Sequence, residues 1–235
     1  MQNPINHINK PFKRNLLQQV MKSPMYDKLQ DLMGTSHLYT AAIKEINTKL
    51  EILDSEFKVK YDHNPIHHIE SRLKKPESVL RKAIDRDIPL TSQDIINQMY
   101  DIAGIRVICS FTSDIYRIAE MISSQNDIRV ISVKDYIVNP KQSGYKSYHM
   151  LVTVPIYLSD CMKTAKVEIQ IRTVAMDFWA SLEHKIHYKF EGNAPERIKE
   201  QLVECSRIVS ELDERMRSLN EEIQQLGYPE EDWWS

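Results

Sequence analysis

The sequence predicts a mixed α/β (α+β) fold, in which helices flank a β-sheet and further helical segments extend the domain at both ends. Strands are indicated by segments rich in β-branched and aromatic residues, at 105–111, 128–138, 147–158 and 165–173. Helical patterns occupy residues 115–124 and 174–190. Helices alternate with strands only at first, and the later strands follow one another as hairpins. A mixed sheet is therefore expected, with helices packed against it.

The N-terminal part of the chain divides into a polar extension and an amphipathic helix. Residues 1–34 are polar and are interrupted by prolines and a glycine, so we expect a short helical or loose extension. Beyond residue 36, apolar side chains recur every three or four positions, which predicts a helix. These apolar residues are Tyr39, Ala42, Ile46, Leu50, Leu53 and Phe57. Pro65 and Pro76 then interrupt a basic segment.

The end of the chain carries an apolar seam. Between Ile198 and Leu226, apolar residues recur at alternating steps of four and three, the a/d spacing of packed helices. Gly227 and Pro229 end this helix. The seam is expected to pack either within one subunit or between subunits. The predicted organisation is a polar extension (1–35), a central domain (36–192) and a helical region with an acidic tail (193–235).

Composition excludes several classes of protein. The formal net charge of −2 gives no global attraction to nucleic acid or anionic lipid. The segment 69–86 is locally basic, which favours a small anionic ligand over a long polyanion. Three cysteines without CxxC spacing indicate neither a zinc finger nor a disulfide framework. With no signal peptide and no apolar run near the roughly 20 residues of a membrane span, we expect a cytoplasmic protein.

Phosphate binding, if present, must use side chains. The chain has only five glycines, and neither a GxGxxG motif nor a P-loop can be formed from them. In the basic segment, Arg72 and Lys74 precede Pro76 on an extended path and point the same way. Ser78 and Lys82 follow on one face near the start of a helix. These groups suit a polyphosphate, although a solvated basic helix is the alternative.

Polar residues that interrupt two predicted strands form a second group of candidates. Asp101 precedes an apolar strand, where its carboxylate is either exposed to solvent or binds a metal. Arg106 alternates into that strand and faces either solvent or a ligand. In residues 165–173, strand alternation places Glu168, Gln170 and Arg172 on one face. An acid, an amide and a guanidinium in one row suit a magnesium-phosphate site, unless that face is only solvated.

Residues 134–149 connect two apolar runs and are rich in cations and tyrosines. A turn does not require so many cations and tyrosines, so their number indicates a ligand-binding loop. The helix that follows residue 173 adds Asp177 and two histidines, His184 and His187. The histidine spacing suggests zinc, but no third ligand is evident in the sequence.

Four ordered motifs resemble the synthetase domain of the RelA/SpoT family, specifically its small stand-alone alarmone synthetases. They are RLKKPESVLRK (72–82), DIAGIRV (101–107), KDYIVNPKQSGYKSYH (134–149) and EIQIRTVAMDFWASLEH (168–184). The resemblance covers about residues 60–190 and implies a nucleotidyltransferase-like mixed sheet. The implied reaction transfers the β,γ-pyrophosphoryl group of ATP to the 3′-hydroxyl of GDP or GTP. Its products are ppGpp or pppGpp, the alarmones of the stringent response, and AMP.

The resemblance also implies a role for each candidate residue. Asp101 and Glu168 are the catalytic carboxylates and hold Mg²⁺, with Glu168 acting as general base or only as a metal ligand. ATP is bound by Arg72, Lys74, Ser78, Lys82 and Arg106. The guanosine nucleotide is bound by Lys134, Lys141, Tyr145, Lys146, His149, Gln170 and Asp177. Among these, Tyr145 stacks on guanine, and Gly144 permits the bend that presents it.

Further expectations concern assembly, regulation and alternatives. Too few residues flank the central domain for the hydrolase and regulatory domains of the long relatives, so synthesis without hydrolysis is expected. Small members of the family are typically homotetramers. An inhibitory metal at His184 and His187 is a weaker expectation, and RNA binding is not indicated. The alternatives are a synthetase fold that only binds guanine nucleotides or RNA, and a different nucleotidyltransferase-like enzyme; retained carboxylates and the Tyr145 loop, respectively, disfavour them.

Overall fold

The computed structural model of the protein describes residues 35–61, 63–190 and 194–226. Its helices are α1 (Thr35–Lys60), α2 (Pro76–Asp85), α3 (Ser92–Gln98), α4 (Thr112–Ser123), α5 (Val174–Lys189) and α6 (Glu196–Gln225). Its strands are β1 (Ile66–Leu73), β2 (Ala103–Cys109), β3 (Arg129–Asp135), β4 (Tyr148–Tyr157) and β5 (Met162–Thr173). Nearly all of the predicted N-terminal extension (1–35) lies outside the described residues.

The strands form one mixed sheet, as predicted from the sequence. Their order is β1-β2-β5-β4-β3, in which β2 and β5 are parallel and every other pair is antiparallel. The register places Gly104 beside both Arg72 and Glu168, and it places Gln170 between Arg106 and His149. Side chains from four motifs distant in sequence are therefore neighbours across the sheet.

One face of the sheet is buried by helices. Val167, Ile169 and Ile171 of β5 are fully buried, while Glu168 and Gln170, which alternate with them, remain partly accessible. Helix α1 packs across four of the strands through Ile46 and Leu50, and α4 contributes further buried isoleucines. This burial is the main source of stability of the domain. The predicted α1 helix is confirmed.

Two elements were not predicted. β1 is an edge strand whose side chains are mostly exposed and polar, so it lacks the apolar alternation by which strands are recognised. α3 spans only Ser92–Gln98 and begins at a side-chain cap in which Thr91 Oγ1 accepts from the amide of Asp94 at 3.1 Å. The predicted strand over residues 128–138 is shorter, Arg129–Asp135, because Asp135 accepts the amides of Ile137 and Val138 and turns the chain.

The predicted seam of the last helix lies mostly in solvent. In α6, the seam residues Leu212, Met216, Leu219 and Ile223 are each about half exposed, at 51%, 51%, 51% and 46%. The face of α6 that docks on the domain is instead polar and includes Ser206 and Asp213. Within the described ranges, no helix combines the length and apolar character that crossing a membrane requires.

Candidate active site

Asp101 lies just before β2 and accepts hydrogen bonds from two lysines on different parts of the chain. Lys74, just after β1, and Lys82, on α2, donate to Asp101 Oδ2 at 2.6 and 2.5 Å. Pro76 begins α2, as predicted from its position, and so aims Lys82 back toward β2. Burial opposes ionisation of Asp101, but the hydrogen bonds and charges of both lysines lower its pKa to about 2. The carboxylate is therefore ionised at neutral pH.

The second oxygen of Asp101 is available for a ligand. Asp101 Oδ1 is buried and has no hydrogen-bond partner among the described residues. A buried carboxylate oxygen without a partner is costly, and a hard cation is a suitable partner for it. The charge of Asp101 also acts on Glu168, where it raises the pKa of that group. The two carboxylates are therefore close enough to interact, as a shared metal site requires.

Glu168 on β5 is held by neutral donors. Gln170 Nε2 donates to Glu168 Oε2 at 3.0 Å, and His149 Nδ1 lies 3.5 Å from Glu168 Oε1. Burial opposes ionisation of Glu168, but the contacts with His149 and Gln170 more than offset it, and the pKa of Glu168 lies below its ordinary value. Burial lowers the pKa of His149, so its imidazole is neutral at pH 7.

The neutral imidazole of His149 joins Glu168 to Tyr145. His149 Nε2 lies 2.8 Å from the Tyr145 hydroxyl. A carboxylate can only accept, so Nδ1 of the neutral imidazole is assigned the hydrogen that faces Glu168, and Nε2 then accepts from the Tyr145 hydroxyl, which in turn accepts from Arg172. Hydrogen bonds thus connect Arg172, Tyr145 and His149, and the 3.5 Å contact of His149 Nδ1 with Oε1 extends the series to Glu168.

Arg172 is the functional residue whose role was missed at the sequence level. Its residue exposure is only 4%, so the alternative of a merely solvated face is wrong for this position. Its guanidinium donates to four side chains, at 3.2 Å to Ser147 Oγ, 3.1 Å to Asp177 Oδ1, 2.9 Å to Gln170 Oε1, and to the Tyr145 hydroxyl. Alternation placed Arg172 beside Glu168 and Gln170, which was the available signal.

Arg72 and Arg106 border a shallow cleft beside Glu168. The cleft is also lined by Gly104 and Gln170. A Cβ atom at Gly104 would lie 3.6 Å from the Arg72 side chain, an ordinary contact distance. Arg106 Nη1 pairs with Glu70 at 3.1 Å and with Asp177 at 3.2 Å. These contacts hold one guanidinium of the cleft in place on the sheet.

The β3–β4 loop, residues 136–147, surrounds the Tyr145 ring with cations. Lys141 Nζ lies 4.5 Å and Arg172 Cζ 5.0 Å from the ring centroid. Gly144 has a φ of 87°, which confirms the predicted glycine bend next to Tyr145. The bend is closed by a hydrogen bond from the Gly144 amide to the Lys141 carbonyl at 2.8 Å. This loop presents an aromatic ring and ammonium groups to one site.

The remaining predicted residues lie around this centre at different distances from it. Lys134 is exposed on β3, where its backbone pairs with His149. Lys146 turns to α6 and donates to Ser210 Oγ at 2.7 Å. Ser78 is exposed in the first turn of α2. His184 is exposed on α5, the side chain of His187 lies outside the described residues, and the described residues contain no group of three potential metal ligands of the His, Cys, Asp and Glu types.

Three comparisons place this site among known proteins. The family model described as a region found in RelA / SpoT proteins matches residues 71–193. The chain is 39% identical over 203 residues to GTP pyrophosphokinase YwaC of Bacillus subtilis, covering 86% of this chain and 95% of that protein. The small alarmone synthetase 1 of the same organism, bound to its product pppGpp, matches with a TM-score of 0.74 and 40% identity over 79% of this chain and 94% of that one. Its complex with AMPCPP matches with a TM-score of 0.69 and 38% identity, covering 80% and 94%.

Proposed function

Because the chain belongs to the RelA/SpoT family, we propose that it is a GTP pyrophosphokinase that transfers the β,γ-pyrophosphoryl group of ATP to the 3′-hydroxyl of GDP or GTP. The products are ppGpp or pppGpp and AMP. One observation carries the proposal: two interacting ionised carboxylates, Asp101 and Glu168, lie between a lysine-rich side and an aromatic loop. Similarity to a synthetase bound to pppGpp, and to its complex with AMPCPP, supports both substrate assignments.

The cationic side binds ATP. Lys74 and Lys82 converge within 2.6 Å of one carboxylate oxygen, so they are already aimed at a common anionic point. Arg72 and Arg106 border the cleft and offer planar guanidinium groups for the adenine as well as charge for the phosphates. Ser78 supplies a hydroxyl at the N-terminal turn of α2. Pyrophosphoryl transfer depends largely on such positioning and charge stabilisation.

The aromatic side binds the guanosine nucleotide. Tyr145 stacks on guanine, and Lys134, Lys141 and Lys146 meet the phosphates. His149 orients both Tyr145 and Glu168 through its two ring nitrogens. Asp177 contacts Arg106 of the ATP side at 3.2 Å and Arg172 of the acceptor side at 3.1 Å, which supports a role in orienting both guanidinium groups. Gln170 accepts from Arg172 and supports the orientation of that group on the acceptor side.

Asp101 and Glu168 fit a Mg²⁺ ion. The unpartnered Asp101 Oδ1 and the carboxylate of Glu168 are hard oxygen donors of the kind Mg²⁺ prefers. When bound there, Mg²⁺ supplies neutralisation of polyphosphate charge and alignment of the reacting groups. Glu168, ionised because its pKa is lowered, also accepts the proton of the attacking 3′-hydroxyl. The contacts with His149 and Gln170 lower the pKa of Glu168, so they favour the ionised carboxylate and hold it in one orientation.

We further propose a cytoplasmic homotetramer with a synthetase domain at residues 36–192 that synthesises without hydrolysing. The half-exposed apolar stripe of α6 supports assembly, because such a surface gains by burial against another subunit. The chain spans 95% of a curated relative named only as a pyrophosphokinase, which supports synthesis alone. Release of pyrophosphate from added ppGpp would contradict that part of the proposal.

Incubation with labelled ATP, GDP or GTP and Mg²⁺, followed by separation of the nucleotides, tests the function. The expected result is transfer of label to ppGpp or pppGpp with release of AMP. Glu168→Ala should keep the wild-type circular dichroism spectrum and lose at least a hundredfold in turnover, the usual scale for a general base. Turnover of Glu168→Ala near the wild-type rate would overturn its role, and nucleotide binding without any product from the wild type would favour a binding protein.

A further inference from the structure

Helix α6 contacts the β3–β4 loop through a polar face. Ser206, Ser210 and Asp213 recur at steps of four and three and so lie on one side of the helix. Ser206 Oγ donates to the Gly144 carbonyl at 2.5 Å, and Ser210 Oγ accepts from Lys146 Nζ at 2.7 Å. Asp213 accepts from Thr173 Oγ1 at the end of β5, at 2.6 Å. The helix thus reaches both the loop and the strand that carry the site.

The contact between Ser206 and Gly144 is close and specific. Ser206 is 6% exposed, although serine is usually a surface residue. A side chain at Gly144 would place its first carbon 2.7 Å from Ser206 Cβ, well inside van der Waals distance. Gly144 also has a positive φ, so glycine is required there twice over, by the bend and by the helix.

The two contacts hold both chain neighbours of Tyr145. Gly144 precedes Tyr145 and Lys146 follows it, while Tyr145 itself is held from the sheet by Arg172 and His149. A serine in a helix can otherwise bond to its own helix, as Ser218 does to the Glu214 carbonyl at 3.0 Å. Ser206 instead directs its hydroxyl to the loop. Protein contacts therefore hold Tyr145 from two sides, the sheet and helix α6.

We propose that Ser206 and Ser210 are positioning residues for the guanosine nucleotide: they hold the loop that carries Tyr145 in its binding arrangement. The inference rests on the proposed function for the assignment of that loop. Fixing the loop in advance lowers the entropy lost when guanine stacks on Tyr145. The ATP side is built from α2, β1 and β2 and touches neither serine, so its affinity does not depend on them.

Ser206→Ala, Ser210→Ala and the control Ser218→Ala test the proposal in the full chain. Ser218 lies on the same helix and is exposed, and its hydroxyl bonds only within that helix. Titration calorimetry gives the Kd for GDP without turnover, and steady-state kinetics gives KM for GDP and for ATP. We expect Ser206→Ala to weaken GDP binding three- to tenfold, equivalent to about 0.7–1.4 kcal/mol, and Ser210→Ala to weaken it to a lesser degree. The KM for ATP should stay within twofold.

The outcomes separate this inference from the proposed function. If Ser206→Ala and Ser210→Ala bind GDP as tightly as Ser218→Ala, the serines do not position the loop. Equal losses for GDP and ATP, or a fall in kcat alone, would also overturn the proposal, since they indicate a general structural role. A wild type that makes no alarmone contradicts the proposed function, whereas the GDP affinities still decide the role of the serines. A wild type that binds no GDP overturns both.

Discussion

Replacing Arg172 with methionine is expected to destabilise the protein and to weaken binding of the guanosine nucleotide together. Methionine has a similar unbranched stem but no donor, so it removes the hydrogen bonds to Ser147, Asp177, Gln170 and Tyr145 at once. These partners come from the loop, the sheet and α5. Arg172 is therefore the point at which the three elements around the acceptor side are joined.

The magnitude follows from what each partner loses. Breaking a buried ion pair by removing one member costs about 3–5 kcal/mol. Asp177 keeps Arg106 at 3.2 Å, so its carboxylate is not left alone, and the lower end of about 3 kcal/mol applies. For a chain of this size, each kcal/mol lowers the melting temperature by about 2–4 °C. Arg172→Met should therefore melt roughly 6–12 °C below the wild type.

Thermal unfolding followed by circular dichroism, and GDP titration at a temperature where every variant is folded, provide the assay. Arg172→Lys keeps the charge but has one compact ammonium in place of a planar fork, so it should recover part of the stability and little of the GDP affinity. Arg129→Met, at an exposed position on β3, is the matched control and should melt within about 1 °C of the wild type. A melting temperature for Arg172→Met equal to that of Arg129→Met would refute the reasoning.

Three further predictions address the Tyr145 ring, the Asp101 carboxylate and the terminal helix α6. Tyr145→Ala should raise KM for GDP at least about fivefold and leave KM for ATP unchanged, because stacking of a base contributes about 1–3 kcal/mol. Tyr157→Ala, at a position that is 81% exposed, is the control, and parallel effects on both substrates would contradict stacking. The depressed pKa of Asp101, about 2 against an ordinary 3.8, gives stability that is present above pH 4 and is lost as pH falls toward 2. Between pH 6 and pH 3, the free energy of unfolding by urea should therefore fall about 1 kcal/mol more for the wild type than for Asp101→Asn; equal falls would show that Asp101 is not held ionised. Leu219→Asp should lower the mass measured by light scattering, whereas Glu222→Ala should leave it unchanged; a tetramer in both would place the interface elsewhere.

The sequence predicted those helices and strands in which buried and exposed residues alternate with a regular period. β2 and β5 alternate buried and accessible side chains, and α1 has an apolar face, so their patterns are complete within a single segment. β1 failed this test because it is an edge strand with little to bury, and α3 is too short to show a period. β1 and α3 can be recognised only when the elements that pack beside them in the fold are known.

The candidate site was also predicted only where the information lies within one strand or helix. Alternation put Glu168, Gln170 and Arg172 on one face, which the structure confirms, but it could not show that Arg172 is buried. Its burial depends on Tyr145 and Asp177, which lie 27 residues before and 5 residues after it in the chain. The polar docking face of α6 was hidden in the same way, because Ser206 has a reason to be buried only once Gly144 lies against it.

The two carboxylates are kept ionised by different means, and the difference suits the proposed reaction. Asp101 is stabilised by the ammonium groups of Lys74 and Lys82, whereas the groups that face Glu168, the Gln170 amide and the His149 imidazole, are neutral at pH 7. In the proposed reaction, the phosphates of ATP would compete for the lysines and a cation would take the place of the lysines at Asp101, so ion pairs would be exchanged and no charge would be left buried without a partner. The neutral donors of Glu168 have no charge to give up to a phosphate. Glu168 therefore keeps its partners and its orientation while Asp101 exchanges its partners. In the proposed reaction, Glu168 is then in place to accept the proton of the 3′-hydroxyl.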